Sequence, residues 1–298
     1  MKYHETYDFL FPKKRSKNVV GMINPLDKEE KTIIFSAHHD SAFEFNTFFY
    51  LKRFGQIIIN VGYLAVGIVL IGIVVKFVFD LLNIQLTLLF FIFGVVFLCF
   101  TPIVLVYILF HSYKPVPGAF DNLSGVSIVL GIAKYLNDHK NDEHFPKKTR
   151  VLLISFAGEE SGLRGAKRYV EGHFEEMKQN GTIIVNMDSI AKKDTLIIID
   201  KESGIGAKHD PAIYEPIYEI AREMNSNAKK AALPFGATDA AAFSKKGIPA
   251  VSLSGLDLVS ELVPYYHTRN DTPDVVEKEA LGQTLELCLR YLQKIDAE

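Results

Sequence analysis

The sequence predicts an α/β protein: a three-layer α/β/α domain into which a hairpin of two membrane-length helices is inserted. Two observations carry this. Continuously apolar runs of strand length alternate with stretches whose apolar residues recur at helical spacing, the pattern of a central sheet covered on both faces. Between the second of those strands and the first of those helices lie two apolar stretches, each long enough to cross a bilayer. With 298 residues, 48% of them apolar, the chain has ample material for a sizeable core.

The elements follow in order. Asn18 to Asn24 and Thr32 to Ala37 read as strands separated by the turn-like Asn24-Pro25-Leu26-Asp27. Ile57 to Val75 carries Asn60 as its only strongly polar side chain, and Ile84 to Phe110 carries only Gln85, Thr87 and Thr101. Both meet the length that roughly 30 Å of hydrocarbon demands of a helix. The connector Lys76 to Asn83 is short, so the pair forms a hairpin that returns to its starting side. A buried lid is the alternative, but a lid apolar on every face needs covering all round. Phe43, Phe45, Phe48, Phe49, Tyr50 and Phe54 before the hairpin and Tyr113 after it suit an interfacial zone. The α/β domain is expected over residues 1–55 and 112–298, and the hairpin over 56–111. Beyond it, Leu123 to Leu136 reads as a helix, Val151 to Phe156 as a strand and Ala166 to Lys178 as a helix. Thr182 to Met187, Leu196 to Asp200 and Ala250 to Leu253 add strands. Pro211 to Met224, Asp239 to Lys246 and Glu277 to Ile295 add helices.

Charge and cysteine usage narrow the function classes. A net charge of -2 and a pI near 6.5, with no basic stripe, argue against nucleic acid as a partner. Cys99 and Cys288 lie far apart and match no zinc-knuckle spacing, so no disulfide framework is expected. The polar start Met1-Lys2-Tyr3-His4-Glu5 carries no apolar segment of a secretory signal. Lys13, Lys14, Arg15, Lys17, Lys52, Arg53 and Lys114 lie on the domain side against Lys76 at the hairpin tip, a bias that favours the cytoplasm for the α/β domain.

Five polar clusters sit after or near apolar runs. In His38-His39-Asp40 the end of a strand sends His38 and Asp40 to one side, where Asp40 can accept from the His38 imidazole and fix its tautomer; an ordinary polar strand end is the plainer reading. Asp121, in Gly118-Ala119-Phe120-Asp121-Asn122, either caps the helix that follows or bridges two metals with its two oxygens. Glu159-Glu160 follows a buried strand, and adjacent carboxylates there point apart, so that one can hold a metal while the other moves protons; a solvated acidic pair is the alternative. Asp188 ends a strand and His267 lies in Tyr266-His267-Thr268, positions that a cap or a satisfied loop residue would also fill. His4, His111, His144, His173 and His209 read as surface.

Taken together, Ala37-His38-His39-Asp40-Ser41, Pro117-Gly118-Ala119-Phe120-Asp121-Asn122, Ala157-Gly158-Glu159-Glu160-Ser161-Gly162-Leu163-Arg164-Gly165, Asn186-Met187-Asp188 and Tyr266-His267-Thr268 resemble the aminopeptidase Y family of di-zinc exopeptidases, with their phosphorylase/hydrolase-like fold. The resemblance covers essentially the whole chain outside the hairpin. It implies two zinc ions bridged by Asp121, with Glu160 and His267 completing one coordination sphere and His38 and Asp188 the other. It implies Asp40 as the residue that orients His38, Glu159 as general base, and a cis peptide at Asp121-Asn122. The implied substrates are peptides with a free N-terminus. Phe120 stands where the family usually has a polar residue and Ala240 where a histidine is common, which leaves substrate preference open.

Two other readings share the fold. A glutaminyl cyclase would use one zinc and, in that family, tryptophans around the substrate ring, whereas this chain contains no Trp. A non-catalytic membrane scaffold would lose ligands, whereas all five and Glu159 are present. The expected protein is a two-span membrane aminopeptidase whose partners are the bilayer and its peptide substrates, with no oligomeric state specified. Because the hairpin leaves the chain between Asp40 and Asp121, its base is expected beside the site, a bias toward short or membrane-associated peptides.

Overall fold

The structure, a computed structural model, describes residues 5, 8–10, 12–140, 142–255 and 262–298; the expectation for His4 lies outside them. Along the chain run β1 (Val19–Ile23), β2 (Lys31–His38), β3 (Phe43–Phe45), α1 (Asn46–Leu81), α2 (Thr87–Leu105), β4 (His111–Pro115), α3 (Ser124–Asp138), β5 (Thr149–Phe156) and α4 (Arg164–Gln179). They continue with β6 (Ile183–Ile190), β7 (Ile197–Glu202), β8 (Ala207–Lys208), α5 (Pro211–Glu223), β9 (Lys229–Leu233), α6 (Asp239–Ser244), β10 (Ala250–Gly255), α7 (Leu262–Tyr265) and α8 (Lys278–Ala297). The chain divides into two compact units, one of Met1–Ala42, Gly118–Val259 and Asp271–Glu298, the other of Phe43–Pro117 and Ser260–Asn270.

The first unit is built on an eight-stranded mixed sheet of order β1-β5-β2-β6-β10-β7-β8, with β9 also paired to β7. Its centre, β5-β2-β6-β10, is parallel, and β1 and β7 join it antiparallel. Alternation along β2 makes the three layers. Ile33, Phe35 and Ala37 face α3, α5 and α8 with Ile128, Ile132, Ile217, Leu287 and Leu292, while Ile34 faces the other way, toward Ala166, Val170 and Phe243 of α4 and α6. Each such side chain withdrawn from water contributes about 1.5–3 kcal/mol, so both faces of β2 resist unfolding. The expected three-layer α/β/α fold is the one observed.

Differences lie at the edges. The pattern did not announce β9, whose Lys229-Lys230-Ala231-Ala232-Leu233 is exposed in alternation and lacks β-branched residues. Nor did it announce β8, only two residues long. His209, expected at the surface, is buried. Its side chain is fully enclosed, with Nε2 3.1 Å from Glu202 Oε1 and Nδ1 2.8 Å from Ser244 Oγ. His111, His144 and His173 are exposed as expected.

In the second unit α1 begins eleven residues before the expected start and runs 36 residues, with a bend at Lys52 (φ 51°). Asn46, Thr47, Lys52, Arg53 and Gln56 interrupt the apolar pattern there and masked that extension. The helix also continues through Lys76 to Leu81, so the turn falls after Leu81 rather than from Lys76. Helix α2 continues as a 3₁₀ turn, Val106–Leu109. Both helices are long and apolar enough to cross a membrane, with mean hydropathies of 2.6 and 2.8. Tyr107 Oη donates to the Ile59 carbonyl at 2.5 Å, and the Tyr107 ring lies over Gly62, where any Cβ would fall 2.3 Å from the ring. The expected aromatic belt divides in two. Phe43, Tyr50, Phe54 and Tyr113 are exposed, whereas Phe48 is buried and contacts Phe45 and Phe110. A short ribbon, β3 with β4, joins the roots of the hairpin.

Candidate metal centre

The parallel strands deliver the site. β2, β5 and β6 run side by side in one direction, so the residues at their carboxyl ends converge, as in other open α/β sheets. His38 is the last residue of β2, Glu159 and Glu160 follow β5, and Asp188 lies near the end of β6.

Asp121 comes from the turn before α3. The side chain caps no helix, and the turn is locked from both sides. Asp271 Oδ1 accepts from the Phe120 N–H at 2.7 Å and Oδ2 from the Asp121 N–H at 3.3 Å. Asn122 donates to the Met187 carbonyl at 2.9 Å and accepts from the N–H groups of Gly125 and Ser189, both at 3.2 Å. Ser124 Oγ donates to the Phe120 carbonyl and accepts from the Ile190 N–H. Gly125 permits this closeness, since a Cβ there would lie 2.6 Å from Asn122 Oδ1 and 2.7 Å from the Met187 carbonyl. The Asp121-Asn122 peptide is cis, as expected.

One ligand atom from each of His38, Asp121 and Asp188 lies within 4.8 Å of the others, the spacing of a metal site. His38 Nε2 is 3.3 Å from Asp121 Oδ1. Nδ1 lies 3.0 Å from the backbone carbonyl of Asp40, which can only accept, so Nδ1 carries a proton and Nε2 is the nitrogen that faces the cluster. This alters the expected part of Asp40, whose carboxylate is 3.7 Å from Nδ1. That carboxylate instead accepts from the N–H groups of Glu159 and Glu160, 3.1 Å each, and so fixes the turn that carries both. One residue therefore orients the imidazole with its main chain and the two glutamates with its side chain.

Burial dominates the electrostatics. It opposes protonation of His38, but the hydrogen bond to Asp121 and the charges of Glu159 and Asp188 outweigh it and raise the imidazole well above its usual value. Burial likewise pushes Glu159 well above the usual carboxylate range, with Glu160, Asp239 and Asp188 adding to the effect and His38 opposing it. Asp188 is driven up to about 7, by burial first and then by Asp121 and Glu160 against His38. Crowded, desolvated carboxylates around one imidazole are costly without a multivalent cation. Imidazole nitrogen with carboxylate oxygen is also a donor set that zinc accepts. The residues present fit the metal.

Two neighbours had no sequence assignment. Asp271 is fully buried, and burial pushes it up to about 6 against the hydrogen bonds it receives. Asp239, at the start of α6, is also fully buried, and neither of its carboxylate oxygens makes a hydrogen bond among the described residues. It stands in the stretch where Ala240 departs from the family pattern, a signal that pointed to this loop without naming the aspartate. His267 belongs to the second unit, where its backbone is left-handed (φ 51°) and its ring stacks on Tyr266 at 3.8 Å.

The site is thus a His–Asp–Asp cluster at the carboxyl edge of a parallel-centred α/β/α sheet. The chain belongs to peptidase family M28, whose model matches residues 106–292. It is 26% identical over 175 residues to aminopeptidase YwaD of Bacillus subtilis, covering 57% of this chain and 36% of that one. In fold it is similar to the crystal structure of BSAP, a zinc aminopeptidase from Bacillus subtilis, with a TM-score of 0.59, 18% identity, and 93% of this chain and 50% of that one covered. It is also similar in fold to an Acidobacteriales bacterium glutaminyl cyclase, with a TM-score of 0.58, 15% identity, and 94% and 73% covered. The chain thus spans about a third to a half of the aminopeptidases it matches.

Proposed function

We propose that the protein is a membrane-anchored, zinc-dependent aminopeptidase that hydrolyses the N-terminal peptide bond of peptides with a free α-amine. The observation that supports it most is the convergence of His38, Asp121 and Asp188 at the carboxyl edge of the sheet, beside a Glu159–Glu160 turn held by Asp40. His38 and Asp188 would hold one zinc, Glu160 and His267 the other, with Asp121 shared; the parts of Glu160 and His267 come from the sequence resemblance. Zinc supplies Lewis-acid polarisation of the scissile carbonyl and acidifies the attacking water.

The protein's own residues do the rest. Glu159 accepts the proton of the water as its oxygen adds to the carbonyl carbon. It then delivers that proton to the departing amine as the carbon–nitrogen bond breaks. Asp40 keeps the glutamate turn and the His38 ring in register through the same residue. The hairpin α1–α2 would anchor the chain in the bilayer, with the α/β unit on the cytoplasmic side by its positive charges.

The test is hydrolysis of unblocked against N-acetylated peptides, with zinc supplied, by the wild type and Glu159→Gln. Unblocked peptides should be cut and blocked ones spared, and the variant should lose about 10²–10⁴-fold in turnover while binding the same zinc. Equal cleavage of blocked peptides, or full activity in the variant, would overturn the reading. A single zinc per chain would move the assignment to a glutaminyl-cyclase-like acyltransferase, and no zinc to a scaffold.

A further inference from the structure

The loop that carries His267 is held, within its own unit, by the root of the apolar hairpin. A left-handed backbone is unfavourable for a residue with a Cβ and persists only when its surroundings fix it. Here the fixing groups come from residues 44–49. The Phe45 N–H donates to the His267 carbonyl at 2.7 Å, and the Phe45 ring meets the His267 ring edge-on at 4.5 Å. Two residues after His267, the Arg269 guanidinium grips Glu44. Nε and Nη2 each donate to one carboxylate oxygen at 2.7 Å, and the Arg269 backbone N–H adds a third bond at 3.2 Å. Glu44 is 2% exposed, and its three bonds all come from this one residue. The guanidinium also lies 4.2 Å over the ring of Phe49, in the first turn of α1.

A bidentate arginine–carboxylate pair fixes direction as well as distance, and a lysine in its place would not. Glu44 is buried beneath the half-exposed guanidinium, so losing Arg269 would leave the carboxylate without compensation, whereas losing Glu44 leaves a solvated cation and a loop without its tie. A surface anchor would need no such pair. What the geometry serves is the placement of the loop that the two contacts hold, and His267 is the residue held directly by the first of them.

We infer that Glu44 and Arg269 form a clamp that fixes the backbone and ring of His267, the residue that the sequence resemblance makes a zinc ligand, so that the root of the hairpin holds this histidine in its ligating conformation. The inference rests on the zinc-ligand role proposed above for His267. Glu44 and Arg269 are positioning residues and touch neither metal nor substrate.

The test uses the full chain in detergent micelles, dialysed at fixed free zinc, with bound zinc counted by elemental analysis and each affinity measured by competition with a chelating dye. Glu44→Gln and Arg269→Met should each keep one tight zinc and bind the other at least tenfold more weakly. The double variant should fall no further than either single one, because both remove the same clamp. Retention of the tight zinc reports that the sheet unit is folded. Two zincs held with wild-type affinity in both single variants would overturn the inference, as would loss of both zincs together, which would mark the pair as a general support of the fold. If the wild type binds fewer than two zincs, the reading of the site fails, and the clamp inference with it.

Discussion

At the amino edge of the sheet Asp296, near the end of α8, receives the backbone N–H groups of Lys147, Lys148 and Thr149 at 2.7, 2.8 and 2.8 Å. Burial works against ionisation there, but those amides outweigh it and hold the carboxyl below its usual range. At the opposite edge Asp188 and Asp239 are driven up, to about 7 and about 8, by burial first, with Asp121 and Glu160 adding at Asp188 and with Asp188, Asp40 and Glu202 adding at Asp239. The residue type is the same and so is the sheet. What differs is the partner supplied: at one end backbone donors complete the charge, at the other the fold gathers carboxylates around one imidazole, and under the proposed zinc reading a cation would compensate them. The amino edge is finished by folding, whereas on that reading the carboxyl edge is finished by binding.

The largest break in that contrast comes from removing the cation. A ligand that binds only the folded chain stabilises it by RT ln(1 + [L]/Kd), about 4 kcal/mol when free zinc is a thousandfold above its dissociation constant. Chelation should therefore lower the melting temperature of the wild type markedly and abolish hydrolysis, and zinc should restore both. Asp188→Asn, which keeps the shape but loses a charged ligand, should show a much smaller zinc-dependent rise in melting temperature. A melting temperature indifferent to chelator would mean that the carboxyl edge is complete without metal.

A smaller effect tests the finished end. Asp296→Asn replaces one acceptor oxygen with an amide donor, which with Oδ1 kept as the acceptor for Lys148 and Thr149 turns toward the Lys147 N–H, and should cost about 1–2 kcal/mol at neutral pH. The sign of the pH dependence follows from the lowered carboxyl. The folded chain holds the proton less tightly than the unfolded one, so the stabilisation is present above about pH 4, the ordinary aspartate value, and is lost as pH falls through the lower folded value. The gap between wild type and variant, measured by denaturant titration, should thus be constant from pH 8 to pH 5 and close at more acidic pH. A gap that persists unchanged to pH 2 would remove the charge from the account.

How far the contrast was legible beforehand depends on the range over which each partner acts. His38, Glu159, Glu160 and Asp188 stood out because each follows an apolar run whose length marks a buried strand, so the polar residue at its end is conspicuous. The hairpin stood out for the same reason, on composition alone. Asp271 did not, because it serves Phe120 and Asp121 across some 150 residues of sequence. The burial of His209 was hidden because its partners are contributed by β7 and α6, and the strand just before it, β8, is too short to show a pattern. At Asp40 two groups approach the His38 Nδ1, the backbone carbonyl at 3.0 Å and the carboxylate at 3.7 Å. Nothing in His38-His39-Asp40 reveals that the carbonyl is the nearer, since the carboxylate is drawn to the amides of Glu159 and Glu160.

The finest test concerns Asp239, which should behave as the inverse of Asp296. It is fully buried, makes no hydrogen bond among the described residues, and is raised by burial first, with Asp188, Asp40 and Glu202 adding and His38 opposing. In the metal-free protein the folded chain then keeps a proton that the unfolded chain releases near pH 4, so wild-type stability should decline as pH rises from about 4 to about 8. Asparagine does not titrate. Whatever constant cost Asp239→Asn carries from burying an amide, the difference between variant and wild type should move in favour of the variant by about 1 kcal/mol between pH 6 and pH 7. Zinc bound nearby would stabilise the ionised form and flatten that slope. Chevron or equilibrium denaturation of both proteins with chelator and with zinc reads the two slopes directly. If the metal-free difference does not change with pH, Asp239 is ionised in the fold, and the carboxyl edge already supplies the compensation that the contrast with Asp296 denies it.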